Sequence, residues 1–105
     1  FDIALLERFV RRAERLRIPV IAGVWPLSSH RNAEFMVNEL NVPVPPAYLR
    51  RMQRAGTAEE ARSEGVAIAR ELVLAARPMT AGVQLSAPFS RYQMALEVAE
   101  VLGPR

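Results

Sequence analysis

The sequence predicts a helix-rich α/β fold with two parallel strands. Two short apolar runs of strand length, IPVIAGV (18–24) and GVQLSAP (82–88), stand far apart in the chain. The segments around them repeat apolar residues at helical spacing and begin with capping residues. The first run is apolar throughout, which is typical of parallel strands that are covered on both faces. Together these observations favour alternating strands and helices.

The first helix is predicted from Asp2, a good N-cap residue, to about Arg17. Its apolar residues recur at helical spacing. They are Ile3, Leu6, Phe9, Val10, Ala13 and Leu16. Pro19 ends this helix, and the apolar run 18–24 that contains it is predicted to be the first strand.

A short second helix is predicted after a loop that closes at Ser28 or Ser29, either of which can be its N-cap. Four residues form its apolar face. They are Ala33, Met36, Val37 and Leu40. The Pro-rich stretch 41–46 breaks it, and Pro46 is placed to begin a third helix that ends near Gly56.

A long fourth helix is predicted from a capping box formed by Thr57 and Glu60, and it runs to about Arg77. Five residues form its apolar face. They are Ala61, Gly65, Ile68, Leu72 and Ala75. Glycine inside a helix costs roughly 1 kcal/mol relative to alanine. Gly65 therefore indicates close packing against this helix.

The second strand is predicted over 82–88, and a capping box of Ser90 and Gln93 follows it. The last helix has a short apolar face. Its members are Met94, Val98, Val101 and Leu102. Gly103 and Pro104 are expected to end this helix.

The composition is that of a globular domain and excludes several classes of protein. Of the 105 residues, 50% are apolar, 24% are charged and none is cysteine, so a disulfide framework is excluded. The net charge of +3 is spread along faces where Arg alternates with Glu, so no nucleic-acid partner is expected. No apolar run reaches the roughly 20 residues that cross a bilayer, and no signal peptide is visible. We expect a cytoplasmic protein without a membrane partner.

The predicted order of elements is helix, strand, three helices, strand, helix. Two parallel strands and five helices cannot enclose a core alone, because a parallel sheet needs further strands and cover on both faces. We therefore expect residues 1–105 to be one piece of a larger α/β protein. The piece corresponds to the C-terminal portion of a (β/α)8 TIM barrel, a fold of about 250 residues.

Two loops follow the predicted strands, at the end where barrel enzymes hold their active sites. Each loop leads to an arginine in the first turn of a helix, Arg31 or Arg91, and each carries an aromatic residue, Trp25 or Phe89. A helix N-terminus is electropositive, so an arginine there is stabilised by a carboxylate or phosphate. The alternatives are solvated arginines and aromatic residues that cover the core. The single histidine, His30, has no second histidine or cysteine with which to bind a metal.

Three stretches carry a resemblance to a known family. GVWPLSSHRNAEFMVNELNVPVP (23–45), EGVAIARELV (64–73) and GVQLSAPFSRYQMALEVAEVLG (82–103) resemble the C-terminal part of methylenetetrahydrofolate reductase. The likeness is strongest to the reductase half of bacterial chains that are fused to a homocysteine methyltransferase domain. The resemblance implies an eight-stranded α/β barrel with FAD at its C-terminal end. It also implies that NAD(P)H reduces the flavin, which then reduces 5,10-methylenetetrahydrofolate to the 5-methyl form.

The resemblance also implies four substrate-binding residues. The family has a glutamine that contacts folate after its seventh strand, and Asn32 stands there, shorter by one methylene. One turn later an aromatic residue stacks on the p-aminobenzoate ring in the family, and Met36 stands there beside Phe35. After the eighth strand an apolar residue and an arginine bound the folate, and they correspond to Phe89 and Arg91. The family's catalytic glutamate and most of its FAD contacts lie on earlier strands, so no catalytic residue is expected here.

The resemblance leads us to expect the remainder of the barrel, folate and NAD(P)H as partners, in a homo-oligomer. The isolated segment is expected neither to hold FAD nor to turn over substrate. Two other functions stay open. One is an interaction module without catalysis, whose exposed strand edges and apolar helix faces drive association. The other is an unrelated barrel enzyme whose loops bind a phosphate ligand.

Overall fold

The computed structural model describes residues 1–87 and 91–103. Within these ranges the chain forms five α-helices and two strands. In chain order they are α1 (Ile3–Glu14), β1 (Ile21–Val24), α2 (His30–Asn38), α3 (Pro46–Arg54), α4 (Ala58–Ala76), β2 (Gly82–Leu85) and α5 (Tyr92–Ala99). Single 3-10 turns, Arg77–Met79 and Glu100–Leu102, follow α4 and α5. The predicted order of elements and the α/β class are confirmed. No helix in these ranges combines the length and apolarity required to cross a membrane.

β1 and β2 pair in parallel, as predicted, with Ile21 opposite Gly82 and Val24 opposite Leu85. Within the described residues, β1 is covered on one face only. Ala22 and Val24 are buried, whereas Ile21 is 68% exposed and Gly23 is exposed too. The helices cover one face of this two-stranded sheet, and an apolar run does not reveal how many faces are covered.

Helix α1 begins as predicted and ends early. The Leu5 N–H donates to Asp2 Oδ1 over 3.2 Å, which makes Asp2 the N-cap. The helix ends at Glu14 rather than near Arg17, because Arg17 adopts a positive φ of 53° that right-handed helix does not allow. Strand β1 then starts at Ile21, beyond Pro19, which has no N–H to donate.

The predicted caps of the other helices are present where the structure describes them. The Asn32 N–H donates to Ser29 Oγ at the start of α2, and the Glu60 N–H donates to Thr57 Oγ1 at the start of α4. The Glu60 carboxylate accepts from the Gly56 N–H, one residue before the position that a capping box uses. Pro46 begins α3 without a side-chain cap.

The last helix ends as predicted but starts later than predicted. Gly103 follows the last turn with a positive φ of 73°, which stops the helix as expected. The predicted cap Ser90 lies outside the described residues. Arg91, predicted in the first turn, instead occupies the N-cap position of α5.

Helix α4 lies at the centre of the hydrophobic core. Its buried residues pack against β1, α1, α3 and α5. A Cβ on Gly65 would lie 1.6 Å from the carbonyl oxygen of Leu27, so the absence of a side chain lets the loop backbone lie directly on α4. This confirms the close packing predicted at Gly65. Leu40 and Leu102, which were predicted on apolar faces, are exposed because no described element covers the ends of their helices.

Polar side chains fix the helices that flank α4. Arg51 of α3 donates from Nε to Glu64 Oε1 over 2.5 Å and from Nη1 to Glu71 Oε2 over 2.6 Å. Burial lowers the pKa of Arg51, but the hydrogen bonds that it donates to the carboxylates of Glu64 and Glu71 outweigh this effect and raise the pKa above its ordinary value. On the other side, Arg70 donates to the carbonyl oxygen of Glu97 near the C-terminus of α5 over 2.7 Å and 2.9 Å.

Replacing Arg51 by alanine is expected to lower the free energy of unfolding by about 1–2 kcal/mol, since two half-exposed ion pairs and the packing of the side-chain stem are lost together. Urea unfolding followed by circular dichroism measures this loss. The matched control is Arg50→Ala, at the exposed neighbouring position. Equal losses in the two variants would show that the bridge to α4 contributes nothing.

Candidate functional site

The two loops that carry the predicted site leave the sheet at the same edge. β1 and β2 are parallel, and their last residues, Val24 and Leu85, are register partners. The Ser86 N–H donates to the Val24 carbonyl over 3.0 Å, so the pairing continues into the second loop. We call this end of the sheet the carboxyl edge. Both loops therefore begin at this edge of the sheet.

The first loop is anchored by its own side chains. Pro26 and Leu27 are fully buried, and the backbone of Leu27 lies against α4. Asn32, 8% exposed, accepts from the Ser28 N–H through Oδ1 over 3.3 Å, and its own N–H donates to Ser29 Oγ over 2.9 Å. The first contact orients the Asn32 carboxamide, and the second caps α2 through the backbone. Nδ2 is the donor that the carboxamide could offer to a ligand.

Met36, the second predicted substrate-binding residue, is buried in the hydrophobic core. Asn32 and Met36 are four residues apart and therefore share one face of α2, which turns toward the core. The neighbouring Phe35 is half exposed and presents the aromatic surface of this helix. The described geometry thus makes Phe35, rather than Met36, the side chain of this turn that a ligand in solution could reach.

His30 and Arg31, at the start of α2, have different surroundings. His30 Nδ1 lies 3.0 Å from Glu34 Oε1, one turn further along the helix. Arg31 is exposed. Of the two residues, it is the one whose charge is directed to solvent.

Arg91 lies at the start of α5 and borders a groove of about 460 Å³ between α4 and α5. The groove also contains the charged side chains of Arg62, Glu59 and Glu97. Two cations and two anions leave its charge balanced. Arg31 does not line this groove, so the binding of one anion by both arginines stays a prediction. Phe89, the remaining predicted substrate-binding residue, lies outside the described residues.

Two further side chains lie near the carboxyl edge. Trp25 is partly buried directly after β1, and its Nε1 is enclosed without an acceptor among the described residues. Gln84 is exposed on the face of the sheet that the helices leave uncovered, with Oε1 close to Gly23. Gln84 therefore borders the surface that a ligand above this face would contact.

Sequence reasoning missed the bridge from Arg51 to Glu64 and Glu71. The seven-residue spacing of the two glutamates, which places them on one face of a helix, was the available signal. No group of three or more His, Cys, Asp or Glu residues that could hold a metal ion occurs in the described ranges. No protein-family model and no curated protein sequence matches this chain.

Proposed function

We propose that this chain is the C-terminal segment of a flavin-dependent methylenetetrahydrofolate reductase and supplies folate-side loops of its (β/α)8 barrel. The whole enzyme would reduce 5,10-methylenetetrahydrofolate to 5-methyltetrahydrofolate with NAD(P)H. One observation carries the proposal. The parallel register of Val24 and Leu85 brings the loops before Asn32 and Arg91 to one edge of the sheet. In a barrel this edge is the one that holds the active site.

The two described polar candidates suit different parts of a folate. Asn32 is 8% exposed, so its contribution would be limited to Nδ2, which would donate to a ring carbonyl or nitrogen that reaches the end of β1. Arg91 offers a guanidinium, whose planar set of N–H donors matches a carboxylate such as those of the glutamate tail. The N-terminus of α5 adds a positive partial charge beside Arg91. This segment would therefore bind and orient the substrate.

The described residues do not fit FAD. The groove beside β1 is lined by apolar side chains, and its charged side chain is the carboxylate of Asp2, which repels a diphosphate. The groove beside Arg91 has balanced charge. Neither groove has the glycine-rich backbone donors that bind a dinucleotide. We therefore assign this chain no step of the flavin chemistry.

A titration with 5-methyltetrahydrofolate tests the proposal. Arg91→Gln is expected to weaken binding about ten- to hundredfold, because a charge-assisted hydrogen bond contributes about 1.5–3 kcal/mol. Isothermal titration calorimetry measures the dissociation constant. The matched control is Arg12→Gln on the exposed face of α1, which should leave binding unchanged.

Three results would contradict this proposal. They are the absence of folate binding at millimolar ligand, an equal effect of the two substitutions, and a yellow protein with a bound flavin. Displacement of folate by inorganic phosphate would favour the alternative of a barrel enzyme with a phosphate ligand.

The second candidate function, an interaction module without catalysis, is favoured by the exposed apolar surface of α1 and β1. Phe9 and Leu5 of α1 and Ile21 of β1 are large apolar residues that face solvent. Such surfaces mark sites of association. The homo-oligomer expected from the resemblance is also a proposal, and sedimentation of the purified chain measures it.

A further inference from the structure

The face of the sheet that the helices leave uncovered carries one polar side chain. Four residues of β1 and β2 belong to this face. They are Ile21, Gly23, Gly82 and Gln84. The alternate residues of β2, Val83 and Leu85, pack against the hydrophobic core. Gln84 therefore points away from the helices, to the side that forms the interior of the proposed barrel.

Gln84 belongs to the last pair of residues on this face before the loops begin. Its register partner is Gly23, and the next pair, Val24 and Leu85, ends both strands and faces the core. In barrel enzymes the ligand lies at this end of the strands. Further strands of a barrel would join the sheet at its sides and not at its carboxyl edge, so they leave this position of Gln84 unchanged.

The residues around Gln84 leave space for a ligand. Gly23 has no side chain, and Gln84 Oε1 lies 3.5 Å from the point at which a Cβ of Gly23 would stand. A Cβ on Gly82 would meet no atom within 4 Å. Branched apolar residues usually fill the interior layers of a barrel, whereas two of the four positions here are glycine. The carboxamide of Gln84 thus stands beside bare backbone, on which a planar ring can pack.

The chemistry of a carboxamide restricts the rings that can cover this face. Gln84 presents donor N–H groups at Nε2 and an acceptor at Oε1. Covering these groups without hydrogen-bond partners is unfavourable. A suitable ring therefore has an acceptor next to a donor. The lactam of a pterin, a carbonyl oxygen beside a ring N–H, has this arrangement, and so does the lactam of a flavin.

We propose that the carboxamide of Gln84 binds the ring lactam of the folate substrate. Nε2 donates to the ring carbonyl oxygen, and Oε1 accepts from the ring N–H. The inference rests on the proposed function and adds a contact to the pterin ring itself. The pterin is favoured over the flavin because the loops that begin at the same carboxyl edge lead to Asn32 and Arg91, which suit other parts of a folate.

Calorimetric titration with 5-methyltetrahydrofolate tests this contact. Gln84→Met keeps the length of the side chain and removes both hydrogen-bonding groups, so it is expected to raise the dissociation constant about tenfold. The matched control is Gln53→Met, at an exposed position of α3, which should leave the dissociation constant within about twofold. Equal dissociation constants of the unchanged chain and Gln84→Met would overturn the proposal.

Nuclear magnetic resonance of the isotope-labelled chain shows whether the contact is direct. The signal of the Gln84 side-chain NH2 group, identified by its loss in Gln84→Met, is expected to shift at saturating 5-methyltetrahydrofolate. It should stay in place with p-aminobenzoylglutamate, which has the tail of the folate without the pterin. Equal shifts with both ligands, or a shift with neither, would overturn the proposal. A shift with riboflavin and none with 5-methyltetrahydrofolate would assign Gln84 to the flavin ring and overturn it too.

The same titrations separate this inference from the proposed function. If Arg91→Gln weakens the binding of 5-methyltetrahydrofolate and Gln84→Met does not, the folate site stands and the contact to its ring is wrong. If the unchanged chain binds no folate at millimolar ligand, both are wrong.

Discussion

Gly65→Ala is expected to lower the free energy of unfolding by about 2–4 kcal/mol, although alanine favours a helix by about 1 kcal/mol over glycine. The added Cβ would lie 1.6 Å from the carbonyl oxygen and 2.7 Å from the carbonyl carbon of Leu27. These are backbone atoms of the loop between β1 and α2. The clash therefore cannot be relieved by the movement of a flexible side chain. Either α4 or the loop must shift, and each is fixed by the core.

Urea unfolding of the purified variant measures this loss, and Gly82→Ala is the matched control. A Cβ on Gly82 meets no atom within 4 Å, so the control should change the free energy of unfolding by less than about 0.5 kcal/mol. If Gly65→Ala were as stable as the control, the close approach of the loop to α4 would be wrong. The described position of Asn32, which the same loop carries, would then be wrong as well.

Features that depend on local chemistry could be predicted from the sequence. Asp2, Ser29 and Thr57 cap their helices as expected, because a side-chain oxygen next to an N–H of the first turn needs no distant partner. The close packing of Gly65 could also be predicted. Glycine lowers the stability of a helix relative to alanine, so a glycine inside a helix indicates that another part of the chain lies close to it. The parallel pairing of β1 and β2 could be predicted because helices separate the two strands in the chain, and a helical crossover connects parallel strands.

Features that depend on distant residues could not be predicted. Ile21 lies in an apolar run that is compatible with one covered face or two, so its exposure depends on which elements pack nearby. Arg51 is 13 residues from Glu64 and 20 residues from Glu71, and nothing in its local sequence distinguishes it from Arg50. Tertiary packing decides both outcomes.

The candidate site shows the same division. Sequence spacing placed Asn32 in the first turn of α2, which the structure confirms. Spacing could not show that Asn32 and Met36 lie on the buried face, whereas Phe35 is exposed. A helical period assigns residues to common faces, but the surrounding fold decides which face meets the core and which a ligand can reach.

Leu27→Ala is expected to destabilise the chain by about 2–5 kcal/mol, the usual cost of removing a buried leucine and leaving a cavity. Leu27 is fully buried in the loop between β1 and α2, within the hydrophobic core cluster. Its carbonyl lies on Gly65, so the backbone cannot relax inward to fill the space. The loop that holds Ser28 and Asn32 should therefore loosen along with the core.

Two measurements separate this effect from a general loss of stability. Urea unfolding of Leu74→Ala, whose side chain is 52% exposed on α4, should show a loss below about 1 kcal/mol. Amide exchange of Ser28, which donates to Asn32 Oδ1, should accelerate more in Leu27→Ala than that of residues in α4. Equal losses in Leu27→Ala and Leu74→Ala would mean that the loop is not anchored in the core. The orientation of the Asn32 carboxamide, on which the proposed binding of folate depends, would then have no physical support.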